Sequence, residues 1–267
     1  MKKVVATFAT GPLWDHTLQL IVERSPQMGA DEVMVFDSNW FEQHEFFRLN
    51  HWLWDKPPAF EAGTSPRGNG YGYYCWKPLI VLEALRRCQD GDIVLFTDAD
   101  CYPVRDFSVL YRECERNGGI MLFEASAWQN RQWCKRDCYA VMGQDEPQYH
   151  DSKAGCSRFG LFQRGPWRTE QFLMEWLTYS INPRATTFDP SILAPELPGF
   201  REHRNEQSIL TLLAHRYGIK LYREMDQSGD GVQNDKALFP TLFCQEPPPD
   251  WDNRPIINGG TKFANIS

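Results

Sequence analysis

Short apolar runs that stop at turn residues alternate along this chain with segments whose apolar positions recur every three or four residues. Lys3 to Phe8 is such a run, closing on Ala9-Thr10-Gly11-Pro12, and its pattern predicts a first strand and a turn. Leu13, Leu18, Leu20 and Ile21 then follow a helical spacing. Glu32-Val33-Met34-Val35-Phe36 predicts a second strand that stops at Asp37, and Asn39 to Leu49 an aromatic-rich helix. Strand, helix, strand and helix in succession imply parallel βαβ units whose loops gather at the C-terminal strand ends. Ligands of such sheets bind at that edge.

Residues 51–74 are irregular and rich in Pro and Gly, and a connection of that length is usually functional or mobile. A helix is expected from Pro78 to Cys88, with Pro78 in its first turn and Leu79, Leu82 and Leu85 as its apolar stripe. Ile93 to Phe96 has the composition of a buried strand. Further along, the pattern predicts a helix over 107–116, a strand over 118–124, a short helical segment from Trp133 and a strand over 157–165. It then predicts an amphipathic helix over 166–181, a Pro-rich loop over 181–198, a helix over 205–217 and a short strand over 218–221. From Asp226 periodicity fades. The expected organisation is a single α/β unit over 1–222, with a Rossmann-type, mixed, mostly parallel sheet flanked by helices. Residues 223–267 would be a tail wrapped on it or a lid.

Composition narrows the chemistry. At 267 residues and 42% hydrophobic content the chain can bury a sizeable core. A net charge of −7 argues against nucleic acid or an anionic membrane as the principal partner. No apolar run approaches the ~18 residues of a membrane span, and Thr7, Thr10, Gly11 and Pro12 interrupt the N-terminal apolar stretch too early for a signal peptide. Eight dispersed Cys without a Cys-x-x-Cys pair point to reduced thiols in a cytoplasmic protein. Cys134 and Cys138 followed by His150 make only a weak zinc pattern. The strand over Ile93 to Phe96 runs into Asp98-Ala99-Asp100. Side chains two apart on extended chain share a face. Two carboxylates so placed repel unless one takes a proton or a cation sits between them, and hard oxygen ligands suit Mg²⁺ or Mn²⁺. An ordinary turn also uses Asp at a strand end.

Gly70-Tyr71-Gly72-Tyr73-Tyr74-x-Trp76-Lys77-Pro78, then Gly91-Asp92-Ile93-x-Leu95-x-x-Asp98-Ala99-Asp100, behind a first strand ending Ala9-Thr10-Gly11-Pro12, resembles the GT-A-type nucleotide-sugar-dependent glycosyltransferases of polysaccharide and glycan synthesis. Trp133-x-Lys135-Arg136-Asp137 and His203-Arg204-Asn205-Glu206-Gln207-Ser208-Ile209 fall where related transferases carry similar elements, and the likeness spans residues 3 to 222. It implies a GT-A fold and a donor that is a nucleotide diphosphate sugar, by family habit a UDP-sugar. A glycan or glycolipid would be the acceptor, with peripheral membrane contact compatible. It implies Mn²⁺ or Mg²⁺ at Asp100, with Asp98 on the metal or on the ribose. Ala6, Thr7, Phe8 and Ala99 would line the nucleotide, Phe8 against the base. Lys77, which opposes the helix dipole where it stands, would contact phosphate or sugar. Asp37 would touch the nucleotide or cap a helix.

Two further carboxylates follow from the same resemblance. Glu206 would act as acid/base or hold the sugar, the alternative being an exposed first-turn Glu. Asp137, with Lys135 and Arg136, would clasp donor hydroxyls or phosphate, the alternative being a solvated helix start. The chain departs from the family pattern in two places. Glu206-Gln207 stands where Asp-Gln is frequent, and no His follows His215 to complete a metal site. The tail offers Asp226, Asp230, Asp250, Asp252, Asn253 and Asn258 instead, and His203 reads as a capping or surface residue. A metal-dependent phosphatase and a non-catalytic carbohydrate-binding protein are the competing functions.

Overall fold

The computed structural model describes residues 1–9, 11–55, 71–230, 232 and 235–246. Eight strands are present among them: β1 (Lys3–Ala9), β2 (Glu32–Asp37), β3 (Ile93–Thr97), β4 (Cys101–Pro103), β5 (Ile120–Gln129), β6 (Lys153–Gln163), β7 (Leu221–Tyr222) and β8 (Phe243–Gln245). Six form one sheet in the order β2-β1-β3-β6-β5-β7, and β4 with β8 forms a separate ribbon. β1 is parallel to β2 and β3, β6 is antiparallel to β3 and β5, and β5 is parallel to β7. Only β6 therefore runs against the others, and the expected mixed, mostly parallel α/β sheet is what the chain forms.

Alternation along the central strands decides the layers. Val4, Ala6 and Phe8 of β1 and Val94 and Phe96 of β3 face one core, while Val5, Ile93 and Leu95 face the other. Successive side chains of a strand point to opposite faces, so a strand buried along its whole length must be covered on both. The longer helices supply the cover: α1 (Asp15–Arg24), α2 (Trp76–Arg86), α3 (Ser108–Arg116), α4 (Arg136–Val141), α5 (Trp167–Ser180) and α6 (Asn205–Arg216). α2, α5 and α6 pack on the first face, and α1 and α3 on the second.

Several boundaries differ from expectation, each for a local reason. The helix expected over 39–49 is two, Ser38–Gln43 and Glu45–Leu49, because His44 turns extended (φ −74, ψ 141) and its ring accepts the Phe46 N–H. α2 begins at Trp76, placing Pro78 third in the helix, still within the first turn. β6 starts earlier, at Lys153, and runs through Gly155. That glycine is a point of close approach rather than a break: a Cβ there would stand 3.2 Å from Leu210 and Thr211, and its N–H donates to the Thr211 hydroxyl at 2.9 Å. α6 can thus cross β6 closely. Part of the long irregular connection, residues 56–70, lies outside the described residues.

The described residues of 223–246 are packed into the fold. Met225, Phe239, Leu242 and Phe243 are buried in the second core, and β8 pairs antiparallel with β4 through Tyr102–Cys244. The remaining tail, residues 247–267, with Asp250, Asp252, Asn253 and Asn258, lies outside the described residues. Phe243 packs its ring 5.2 Å from Phe107 and 5.6 Å from Phe159. Phe243→Ala is therefore expected to lower the free energy of unfolding by about 3–5 kcal/mol in a denaturant titration. A loss below about 1 kcal/mol would mean that this segment covers the domain without supporting it.

Candidate active site

The turn that leaves β3 is tightly fixed. Thr97 Oγ1 donates to the Cys101 carbonyl at 3.1 Å, the Cys101 N–H donates to the Asp98 carbonyl at 3.0 Å, and the Asp98 N–H donates to the Arg158 carbonyl at 2.9 Å. This sets Asp98 and Asp100 at the C-terminal edge of the sheet, beside the middle of β6.

Lys77 arrives at the same place from α2. The Gly-Tyr-Gly-Tyr-Tyr run ahead of it is coiled into left-handed backbone at Gly72 (φ 57), Tyr73 (φ 53) and Tyr74 (φ 60). Gly72 is required there, because a Cβ would come within 2.3 Å of the Trp54 ring. Left-handed Tyr residues are costly and persist only where packing over-determines them. The turn delivers Lys77 into the interior at 4% exposure. Its Nζ donates to Asp98 Oδ2 at 2.9 Å and to the Ser157 carbonyl at 3.2 Å, and stands 3.5 Å from Glu206 Oε1. The Ser157 hydroxyl donates to Glu206 Oε1 at 2.7 Å. Glu206 lies in the first turn of α6, whose first residue Asn205 is also left-handed (φ 44) and ties its side chain to the Thr186 carbonyl at 2.6 Å. Four elements, α2, β3, β6 and α6, thus converge on one ammonium.

Burial sets the protonation of the cluster. It pushes Glu206 up to about 7 against the opposing pull of Lys77 and Ser157, and Asp98 up to about 6, with Lys77 opposing and Asp100 reinforcing. Burial works against the Lys77 charge, but Asp98 and Glu206 outweigh it, and the ammonium is held above its ordinary value. Burial therefore keeps Glu206, more than Asp98, partly protonated towards neutral pH beside a charged Lys77.

Asp98 Oδ1 is buried and accepts no hydrogen bond among the described residues. Asp100 is half-buried; its Oδ2 accepts from Gln245 Nε2 at 2.8 Å and its Oδ1 from the Cys101 thiol at 3.1 Å. An orphaned carboxylate oxygen beside a second carboxylate fits a hard divalent cation. Among the described residues no third His, Cys, Asp or Glu joins them as a ligand group. Asp226 is engaged otherwise, 3.1 Å from Arg158 and capping Ser228, and Asp230 accepts from Thr241.

Several of the other expected site residues lie elsewhere or do other work. Ala6, Thr7 and Phe8 are buried in β1, and Phe8 does not offer its ring to a base: it packs 4.2 Å from the Trp76 ring, 3% exposed. Ala99 is buried between the two carboxylates. Asp37 caps the helix Ser38–Gln43, accepting the Trp40 N–H at 2.7 Å. Asp137 is 1% exposed and holds a loop: Oδ1 accepts the Ile192 and Leu193 N–H groups at 3.0 and 2.8 Å, and Oδ2 pairs with Arg184. That occupancy leaves it no open face for a sugar. Lys135 donates to the Thr187 and Asp189 carbonyls, and Arg136 pairs with Asp145. Glu206 is not an exposed helix-start residue but 2% exposed. His203 is neither cap nor surface: it is buried, accepts the Lys135 N–H at Nδ1 and meets the Ala185 carbonyl at Nε2, which fixes the neutral tautomer. All eight Cys are free thiols, and His150 pairs with Asp145 rather than with Cys134 or Cys138. Ser157, Arg158 and Gln245 were not anticipated, since no spacing in the sequence links them to Asp98 or Asp100. A cavity of about 210 Å³ lined by Leu82, Asp90, Arg164 and Met174 lies at the opposite, N-terminal end of β3.

No protein-family model matches the chain, and no curated protein is similar to it in sequence. Among solved structures, mouse xyloside xylosyltransferase 1 in its apo form aligns at 9% identity and a TM-score of 0.49, over 96% of this chain and 100% of that one. The bifunctional glycosyltransferase WbbM aligns at 10% identity and a TM-score of 0.44, over 80% of this chain and 37% of that one. Mannose-6-phosphate isomerase from Helicobacter pylori aligns at 13% identity and a TM-score of 0.33, over 68% of this chain and 80% of that one. At such scores none of these likenesses says what this chain does. Among the described residues no helix is long and apolar enough to cross a membrane.

The raised Glu206 carboxyl makes a signed prediction. An acid whose folded pKa lies above its unfolded one stabilises the fold below the unfolded value, near 4.5, and that contribution is lost as pH rises through about 7. Glu206→Gln keeps an acceptor for Ser157 and cannot ionise. Its melting temperature in EDTA should therefore fall less between pH 5 and pH 8 than that of the wild type. Parallel pH profiles would show that Glu206 does not titrate in this range.

Proposed function

We propose that this chain is a metal-dependent glycosyltransferase that moves a sugar from a nucleotide diphosphate sugar, a UDP-sugar, to a glycan or glycolipid acceptor. The observation that carries the reading is the orphaned Asp98 Oδ1 beside Asp100 at the C-terminal end of the buried β3. An ordinary turn would leave its carboxylate oxygens to water or to backbone N–H groups. The order of the sequence motifs around this pair supports the same reading, and uridine and the acceptor class rest on that resemblance alone.

Asp98 and Asp100 would hold Mn²⁺ or Mg²⁺, which neutralises charge on the departing diphosphate. The remaining work belongs to the protein's own groups. Lys77 binds Asp98 Oδ2 and so holds the carboxylate in one orientation, with the buried Oδ1 left unpaired among the described residues. Its ammonium also places fixed positive charge behind the carboxylate pair, where negative charge would develop. Glu206 sits against Lys77 and Ser157 at 2% exposure, and we assign it to holding Lys77 rather than to taking the acceptor's proton. Lys77 is accordingly a support of the carboxylates before it is a contact for phosphate.

Thermal shift with nucleotide sugars, with and without Mn²⁺, tests the reading, because a ligand that binds only the folded state raises its stability. A UDP-sugar is expected to raise the melting temperature only with the metal. A carbohydrate-binding protein would respond to free sugar alone, and a phosphatase would hydrolyse a general phosphate ester. Two variants separate chemistry from folding. Asp100→Ala should abolish Mn²⁺-stimulated donor hydrolysis with little change in stability, the side chain being half-buried. Lys77→Ala leaves two carboxylates uncompensated and should cost about 3–5 kcal/mol of folding stability, read by denaturant titration. Unchanged donor hydrolysis in Asp100→Ala would remove the metal-site assignment.

A further inference from the structure

The residue that touches Asp100 most directly comes from the far end of the chain. Gln245, the last residue of β8, donates from Nε2 to Asp100 Oδ2 at 2.8 Å, and the next residue, Glu246, donates its backbone N–H to the Asp100 carbonyl at 2.8 Å. The opposite end of the Gln245 amide meets Arg158, whose Nη1 donates to Oε1. Arg158 also pairs with Glu224 and lies 3.1 Å from Asp226.

This arrangement fixes which way the amide points. A guanidinium carries donors and no acceptor, so the amide oxygen must face Arg158 and the amide nitrogen must face Asp100. Gln245 therefore cannot present its oxygen as a ligand at Asp100; it supplies an N–H. It also stands between a guanidinium and a carboxylate that would otherwise pair. Arg158 keeps its charge compensated by Glu224 and Asp226, and Asp100 receives an oriented hydrogen bond instead of a full positive charge. Each carboxylate oxygen has two lone pairs, so the bond to Oδ2 leaves room for a cation on the same group. Groups that hydrogen-bond a metal ligand orient it, and their loss typically costs about 10–100-fold in metal affinity.

We propose that Gln245 is a positioning residue of the Asp98–Asp100 cation site, relaying the orientation imposed by Arg158 so that the Asp100 carboxylate stays aimed for a divalent metal. The proposal rests on the reading of Asp98 and Asp100 as metal ligands. It makes the end of β8 part of the site. Anchoring of β8 does not need the Gln245 side chain. The β4 ladder holds the strand, Phe243 is in the core, and Gln227 clamps the Gln245 backbone from both sides, at 2.9 Å to its N–H and 2.6 Å to its carbonyl.

The test is Mn²⁺ titration followed by electron paramagnetic resonance of the free ion, on wild type and on Gln245→Met, which keeps the length and loses the donor. The variant is expected to bind Mn²⁺ about 10–100-fold more weakly, to melt without metal within a few degrees of wild type, and to recover donor hydrolysis at saturating Mn²⁺. Equal Mn²⁺ affinity in the two proteins overturns the role of Gln245 and leaves the carboxylate site standing. Absence of Mn²⁺ binding by the wild type removes the metal reading itself, and this proposal with it. Should Gln245→Met not fold, Gln245→Ala is titrated in its place, and failure of both to fold assigns the side chain to the structure and overturns the proposal.

Discussion

An ammonium placed in a protein interior must be surrounded by acceptors, because its lost hydration is worth more than any single contact. Lys77 meets that demand with Asp98, Glu206 and the Ser157 carbonyl, and with the faces of Tyr74, Trp76 and Phe96 at 5.4, 5.8 and 5.9 Å. Every one of these groups comes from an element whose position the rest of the fold must supply. The left-handed turn at 72–74 aims the side chain inward, Gly155 lets α6 lie close on β6, and the left-handed Asn205 starts α6 where Glu206 can reach. The central cation is thus a constraint on four elements at once, and the sheet edge around it has little freedom to rearrange.

The same constraint explains the uneven legibility of the sequence. The apolar runs Val4 to Phe8 and Ile93 to Phe96 show strands because their neighbours on both faces are apolar, whatever those neighbours are. The carboxylate pair was visible for a similar reason: its spacing of two is a local property of extended chain. What Lys77 does was not visible. Its unfavourable place at a helix start marked it as unusual, but whether phosphate or carboxylate answers that charge depends on β6 and α6, which are 80 and 129 residues away in sequence. Asp37 and Asp137 look no different from Asp98 when read in line. One caps a helix and the other holds the backbone of residues 192 and 193, because N–H groups happen to face them. Gly155 was not singled out in line, because its role as a contact surface depends on Leu210 and Thr211 of α6.

Electrostatics then gives the carboxylates different characters. Asp98 is held by Lys77 through Oδ2, and its Oδ1 meets no partner among the described residues. Asp100 is half-buried, and both its oxygens receive donors. Glu206, set against Lys77, shares with Asp98 the task of balancing a single cation, and the pair is one acid too many for it. A surplus carboxylate in such a place has two ways to be neutralised, a proton or another cation. A proton serves at acid pH, and in the proposed function a divalent ion would compete as the cluster ionises through the range of about 6 to 7 in which burial has placed it.

That competition makes the geometry around Asp100 matter more than its distance from the core would suggest. A half-buried carboxylate in water samples several rotamers, and fixing it costs entropy that a cation would otherwise have to supply on binding. Here the thiol of Cys101 and the amide of Gln245 fix it beforehand, and the Glu246 N–H holds the Asp100 main-chain carbonyl. Two of those three come from a segment more than 140 residues beyond the strand that carries the carboxylates. The β4–β8 ribbon brings the two together: β4 carries the thiol that meets Asp100, and β8 carries the amide.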